Sequence, residues 1–158
     1  MKPTNKEFVM RVLFCHGKEG TVNGTKATRL KQNFDARVPK LTNSYAKEDF
    51  EKDLALVEGL ARDADVIVGS SRGGAIVAAL KTNKRKVLIA PAIRKFDVIP
   101  QLRAQDTILH CANDDLVDFE DSHALADVFG VKLIECGLDH RMSDEETINK
   151  IIAVIKGE

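Results

Sequence analysis

The sequence predicts a three-layer α/β fold: a mostly parallel sheet of about six strands with helices on both faces. Three observations predict it. Short apolar runs alternate with helix-patterned segments along the whole chain, the pattern of parallel strands joined by crossover helices. Runs such as Val66-Ile67-Val68 and Val87-Leu88-Ile89-Ala90 are apolar at successive positions, as strands covered on both faces are. The length, 158 residues, suits one domain spanning 1–158.

The elements follow in order. Residues 8–15, FVMRVLFC, read as a central strand, broken by His16-Gly17-Lys18-Glu19-Gly20. Asn23-Gly24 signals a turn, and a first helix is expected around residues 26–32. A short strand follows at 34–38, stopped by Pro39. Residues 47–61 form the clearest helix, with Phe50, Leu54, Val57 and Leu60 in one apolar stripe and charges opposite. Strand 65–69 leads into a buried helix over 72–80, then strand 86–90, stopped by Pro91. Residues 92–105 have room for only a short helix or loop. Strand 106–111 and helix 119–129 come next, the helix closed by Gly130. Strand 131–136 precedes a last helix, with Ser143 as expected N-cap and Glu146 completing a capping box. Its apolar face is Ile148, Ile151, Ile152 and Ile155.

Composition narrows the function classes. Lysine plus arginine and aspartate plus glutamate are both 24, so no net charge draws the chain to nucleic acid or an acidic membrane. No stretch is apolar enough for a signal peptide or membrane span, and the expected compartment is the cytoplasm. Cys15, Cys111 and Cys136 are widely spaced and odd in number, so they form no disulfide framework. Each ends an apolar run and reads as a small buried side chain. A metal site joining them to His16, His110 or His140 lacks any short ligand spacing, and none is expected.

In a parallel sheet the loops after the strands emerge at one edge, where ligands bind. Four such loops carry reactive residues: His16-Gly17-Lys18, Ser70-Ser71-Arg72, Asn113-Asp114-Asp115 and Asp139-His140-Arg141. Gly69-Ser70-Ser71-Arg72-Gly73 matches G-x-S-x-G between a strand and a helix, which makes Ser71 the candidate nucleophile. An anion cradle at the helix N-terminus, or a plain turn with a capping serine, are the competing readings. His140 is the candidate base, while His16 and His110 sit at strand ends and His123 on a helix. Either Asp114 or Asp115 can orient the base. The backbone N–H groups of Arg72 and of Lys18 or Glu19 are candidate oxyanion donors, with Gly17 allowing close approach. His16, Gly17, Ile93 and Phe96 are candidate substrate contacts. Lys18, Arg72, Arg94 and Arg141 form a candidate basic rim.

These pieces resemble the α/β-hydrolase superfamily over about residues 8–155. They are the first strand with His16-Gly17, the elbow Gly69-Ser70-Ser71-Arg72-Gly73-Gly74, the run His110-Cys111-Ala112-Asn113-Asp114-Asp115-Leu116-Val117, and Gly137-Leu138-Asp139-His140-Arg141. The family's third piece usually reads H-G-x-x-D-x-x-V or P. The resemblance therefore places the triad acid at Asp114, with Cys111 where the family has glycine. It makes His140 the base and Lys18 an oxyanion donor. It also implies a reduced α/β-hydrolase fold, without the first two antiparallel strands or a cap domain.

The expected function is a serine hydrolase of carboxylic esters or thioesters, working through Ser71, Asp114 and His140 and an acyl-enzyme. Its partner is a small-molecule acyl substrate, and it needs no cofactor. The alternatives are a non-catalytic binding protein on a hydrolase scaffold and a phosphate-binding flavodoxin-like module. The latter would leave His140 remote from Ser71. Oligomeric state is left open.

Overall fold

A computed structural model describes residues 9–18 and 20–158. In chain order the elements are β1 (Arg11–Cys15), α1 (Thr25–Asn33), β2 (Asp35–Arg37), α2 (Lys47–Ala61), β3 (Val66–Ser70), α3 (Arg72–Ala79), β4 (Arg85–Ile89), β5 (Thr107–His110), α4 (Phe119–Phe129), β6 (Lys132–Glu135) and α5 (Glu145–Lys156). The six strands form one sheet in the order β2-β1-β3-β4-β5-β6, and every neighbouring pair is parallel.

Successive side chains of a strand point to opposite faces, so a continuous apolar run supplies two cores. Leu13, Ile67, Leu88 and Ile108 face α2, α3 and α4, packing with Val57, Ile76 and Leu125. Val12, Phe14, Val68, Ile89 and Leu109 face α1 and α5, packing with Leu30, Ile151 and Ile155. The sheet is thus the middle of three layers, as the strand runs predict.

The chain turns from β1 to β2 on one side and returns to β3 on the other. The crevice between the β1 and β3 ends is therefore the point where the crossovers diverge, the usual ligand position in such sheets. The loops after β1 and β3 carry His16-Gly17-Lys18 and Ser71.

Most boundaries agree with the pattern to within one or two residues. Phe8, Glu19 and the polar start 1–7 lie outside the described residues. Residues 92–105 contain turns and coil rather than a helix. The N-cap of α5 is Asp144, whose carboxylate accepts from the Thr147 amide at 3.1 Å, and not Ser143. Ser143 instead turns its hydroxyl to the Arg141 carbonyl at 3.1 Å. A carboxylate at a helix start also meets the positive end of the helix dipole, which favours Asp over Ser there.

Candidate active site

The elbow after β3 is built by close approach. Ser71 has φ 56° and ψ −114°, a left-handed conformation costly for a residue with a side chain. Its amide donates to the Ile89 carbonyl at 2.9 Å, and its carbonyl accepts from the Ala75 and Ala92 amides at 3.0 Å each. These bonds hold the strained residue from three sides. A Cβ at Gly69 would lie 2.3 Å from the Gly73 carbonyl oxygen, and one at Gly73 would lie 2.0 Å from that of Cys15. Neither position can carry a side chain, so both glycines of the motif have a steric cause.

Ser71 Oγ lies 2.9 Å from His140 Nε2, and His140 Nδ1 lies 2.6 Å from Asp114 Oδ2. An ionised carboxylate only accepts, so Nδ1 carries the ring proton. Nε2 is left to accept from the Ser71 hydroxyl. Asp114 Oδ1 accepts from the Leu116 and Val117 amides at 2.8 Å each. Burial alone would raise the Asp114 pKa. The Val117 amide, His140 and the Leu116 amide outweigh it and hold the acid below its ordinary value.

Asp114 also serves a second serine–histidine pair. His110 Nε2 lies 3.1 Å from Asp114 Oδ2 and 3.1 Å from the Val117 carbonyl, and its Nδ1 lies 2.7 Å from Ser122 Oγ. Both partners of Nε2 accept, so Nε2 carries the proton and Nδ1 accepts from the Ser122 hydroxyl. Burial pushes the His110 pKa down against the pull of Asp114, favouring the neutral ring. The Ser122–His110–Asp114 arrangement also has the Ser-His-Asp form found in serine hydrolases. Ser122 and His110 are both fully enclosed, whereas Ser71 and His140 line an open cavity. The inner pair therefore braces the carboxylate, and only the outer pair can meet a substrate.

The cavity has a volume of about 500 Å³. Its walls include Gly17, Lys18, Tyr45, Phe96, Leu116, Val117 and Arg141. Gly17 abuts Ser71, since a Cβ there would lie 3.2 Å from Ser71 Cβ. His16 lines the cavity too, but both ring nitrogens are engaged with backbone: Nε2 with the Leu41 amide at 3.1 Å, Nδ1 with the Gly17 carbonyl at 2.8 Å. Phe96 is a wall residue, whereas Ile93 packs on the core under α2 and α3. Asp115 is exposed, and the carboxylate that His140 meets is that of Asp114.

Two rim arginines are not at the rim. Arg72 is 1% exposed and pairs with Asp53 at 2.7 Å, while donating to the Ser44 carbonyl and Thr42 Oγ1. Arg94 is turned to Asp121 on α4 at 2.5 Å. A guanidinium on the first turn after Ser71 looks like a rim group in sequence. Asp53 falls on the buried face of α2, between Phe50 and Val57, and is 4% exposed there with Arg72 to neutralise it.

Two further features escaped sequence reasoning. Tyr45 stacks on Phe96 at 5.8 Å, and Phe96 on Phe50 at 5.2 Å, making an aromatic wall from separate segments. Lys26 reaches from α1 to Ser143 Oγ at 3.3 Å and to the Arg141 carbonyl, tying down the loop that carries His140. The periodic positions of α1 gave no signal for that long-range contact.

Among the described residues no group of three His, Cys, Asp or Glu is placed to hold a metal, and no helix is long and apolar enough to cross a membrane.

The sequence matches no protein-family model and no curated protein. Solved structures do match. A protein assigned to the alpha/beta superfamily of hydrolases from Xanthomonas campestris pv. campestris superposes with a TM-score of 0.79 at 20% identity, covering 94% of this chain and 99% of its own. Mouse alpha/beta hydrolase domain-containing protein 10 gives 0.74 at 17% identity, over 93% and 88%. The esterase domain of a Rhodothermus marinus protein gives 0.69 at 16%, over 98% and 88%. The chain thus has the α/β-hydrolase fold in a minimal form, six parallel strands with flanking helices.

Proposed function

We propose that the protein is a serine hydrolase of carboxylic esters or thioesters. Ser71 Oγ attacks the acyl carbon as His140 Nε2 takes its proton. Asp114 holds the Nδ1–H tautomer and supports the imidazolium. The oxyanion is met by the Arg72 amide, at the first turn of α3 where helix amides lack intrahelical partners, and by the Lys18 amide. His140 then protonates the leaving group, and water attacks the acyl-enzyme with His140 again as base. Gly17, Phe96 and the backbone-anchored His16 shape the substrate wall. Ile93 acts from behind it, through the core. A small acyl substrate and a cytoplasmic setting belong to this reading, and the free Cys15, Cys111 and Cys136 suit a reducing compartment.

The observation that carries the proposal is the continuous relay from Ser71 through His140 to Asp114, opening on a cavity. A binding protein has no need of a strained serine hydrogen-bonded to a tautomer-locked imidazole. The flavodoxin-like alternative fails because His140 touches Ser71. The test is labelling with a fluorophosphonate probe, with an ester and thioester panel run beside it. Wild-type protein should label at Ser71 and turn over esters, and the folded Ser71→Ala protein should do neither. An unlabelled wild type that is folded would overturn the reading.

A further inference from the structure

His140 is only as well placed as the loop that carries it. Residues 136–144, between β6 and α5, are coil and turn. Met142 there has φ 53°, a costly conformation that persists only where the surroundings hold it. The imidazole must meet Ser71 Oγ at 2.9 Å and Asp114 Oδ2 at 2.6 Å at once. In such a relay a misplacement of about 1 Å costs on the order of 10²-fold in rate.

Arg141, the next residue, is held at both of its backbone groups. Its amide donates to Asp139 Oδ1 at 3.0 Å. Its carbonyl accepts from Lys26 Nζ, and from Ser143 Oγ at 3.1 Å. Lys26 Nζ also donates to Ser143 Oγ at 3.3 Å, so ammonium, carbonyl and hydroxyl close a triangle. Asp139 acts from within the loop. Lys26 acts from α1, which Ala27 and Leu30 fix in the core, and so ties the loop to the body of the fold.

The Lys26 ammonium stands in an unfavourable place. It is half-buried, on the second residue of α1, where the helix dipole opposes a cation. Burial, opposed by Asp139 and reinforced by Arg141, brings its pKa down to about 8. At the start of α5, Asp144 is turned to the Thr147 amide and Glu145 pairs with Arg29 of α1. Lys18, Lys95 and Arg141 are the other cations lining the same cavity. Lys26 is therefore charged at neutral pH and loses its proton in mild alkali. The neutral amine still donates, but a charge-assisted bond is roughly twice as strong.

We propose that Lys26 is a positioning residue for the triad: its ammonium, seated on the Arg141 carbonyl and the Ser143 hydroxyl, holds His140 against Ser71, and the site slackens when that charge is lost. This rests on the serine hydrolase reading and adds to it a group that takes no part in the relay.

The experiment measures kcat and KM for phenyl acetate from pH 6 to 9.5 with wild type, Lys26→Met and Lys26→Arg. Circular dichroism checks folding at each end of the range. At pH 7 Lys26→Met should lower kcat about tenfold with KM little changed, because His140 serves both acylation and deacylation. Wild-type kcat should fall about threefold in alkali, with its midpoint near pH 8. Arginine keeps its charge throughout, so Lys26→Arg should exceed Lys26→Met at pH 7 and show no such fall. Lys26→Met should be flat above pH 8 as well.

A Lys26→Met protein with wild-type kcat at pH 7 would overturn the proposal. So would a wild type with no alkaline fall, or a fall that both variants keep, since the titrating group would then lie elsewhere. If Lys26→Met does not fold, wild type and Lys26→Arg decide: an alkaline fall shared by the two overturns the role, and one confined to wild type supports it. These outcomes leave the hydrolase standing. No Ser71-dependent turnover, together with no fluorophosphonate labelling, would bring down both.

Discussion

Asp114 accepts from four donors: the Leu116 and Val117 amides on one oxygen, His140 and His110 on the other. The last of these is the least expected. A hydrogen bond to a charged acceptor contributes about 1.5–3 kcal/mol, so His110 is a positioning residue for the relay. His110→Ala should lower kcat by about 10- to 100-fold by that measure with KM little changed, and steady-state kinetics on the ester panel will show the split. A fall in KM-dependent terms alone would rule the role out. Asp114→Asn should be harsher, since an amide donor there favours the wrong His140 tautomer. A loss of about 10³–10⁴ in kcat is expected, measurable by ester hydrolysis with folding checked by circular dichroism.

At the scale of elements, three buried side chains hold the loops in place. Arg72 and Asp53 lock α2 to the elbow helix α3 in the interior. Removing one partner of such a pair strands the other charge. Asp53→Ala should cost about 3–5 kcal/mol in chemical denaturation. The loop carrying His140 is nailed from below by Met142, which has φ 53°, no exposed surface and its sulfur against Gly137. Met142→Ala should cost about 2–5 kcal/mol by cavity formation. It should also depress kcat, because the loop would no longer hold the imidazole against Ser71. Lys86, 1% exposed, closes the other end of α3 by donating to the Leu80 and Gln101 carbonyls at 2.6 and 2.7 Å. Burial lowers its pKa to about 8, against the pull of Asp106.

The whole molecule should weaken in acid in two stages. His110 is held neutral in the fold, its pKa pushed below the ordinary 6.5 by burial. The unfolded chain therefore takes up that proton first. The stability His110 contributes is full above about pH 6.5 and falls as the pH drops from there toward its folded pKa. Asp114 is depressed below its ordinary 3.8 against the effect of burial, so its contribution is lost only as the pH falls through that lower region. Denaturation curves between pH 8 and 5 should show the first stage, and His110→Gln should flatten it. An unchanged slope would mean that the ring is charged in the fold.

The layered architecture was legible because it rests on local chemistry. A strand such as Val66-Ile67-Val68 must be covered on both faces, and α2 must bury one stripe, wherever they lie. That Ser71, Asp114 and His140 come together was legible as well, because each sits in a short motif with a strand before it. What stayed hidden depends on contacts between residues far apart in the chain. Nothing near Asp53 in sequence shows that Arg72 will neutralise it, or near Lys26 that it will reach the Arg141 carbonyl. Arg72 and Arg94 looked like rim groups for the same reason: charge is visible in sequence, but its partner is not. The stacking of Tyr45 on Phe96 is likewise a product of separate segments meeting. Periodicity and backbone stereochemistry act over a few residues and determined the elements. Electrostatic pairing and aromatic stacking act through space, and only the tertiary structure decided them.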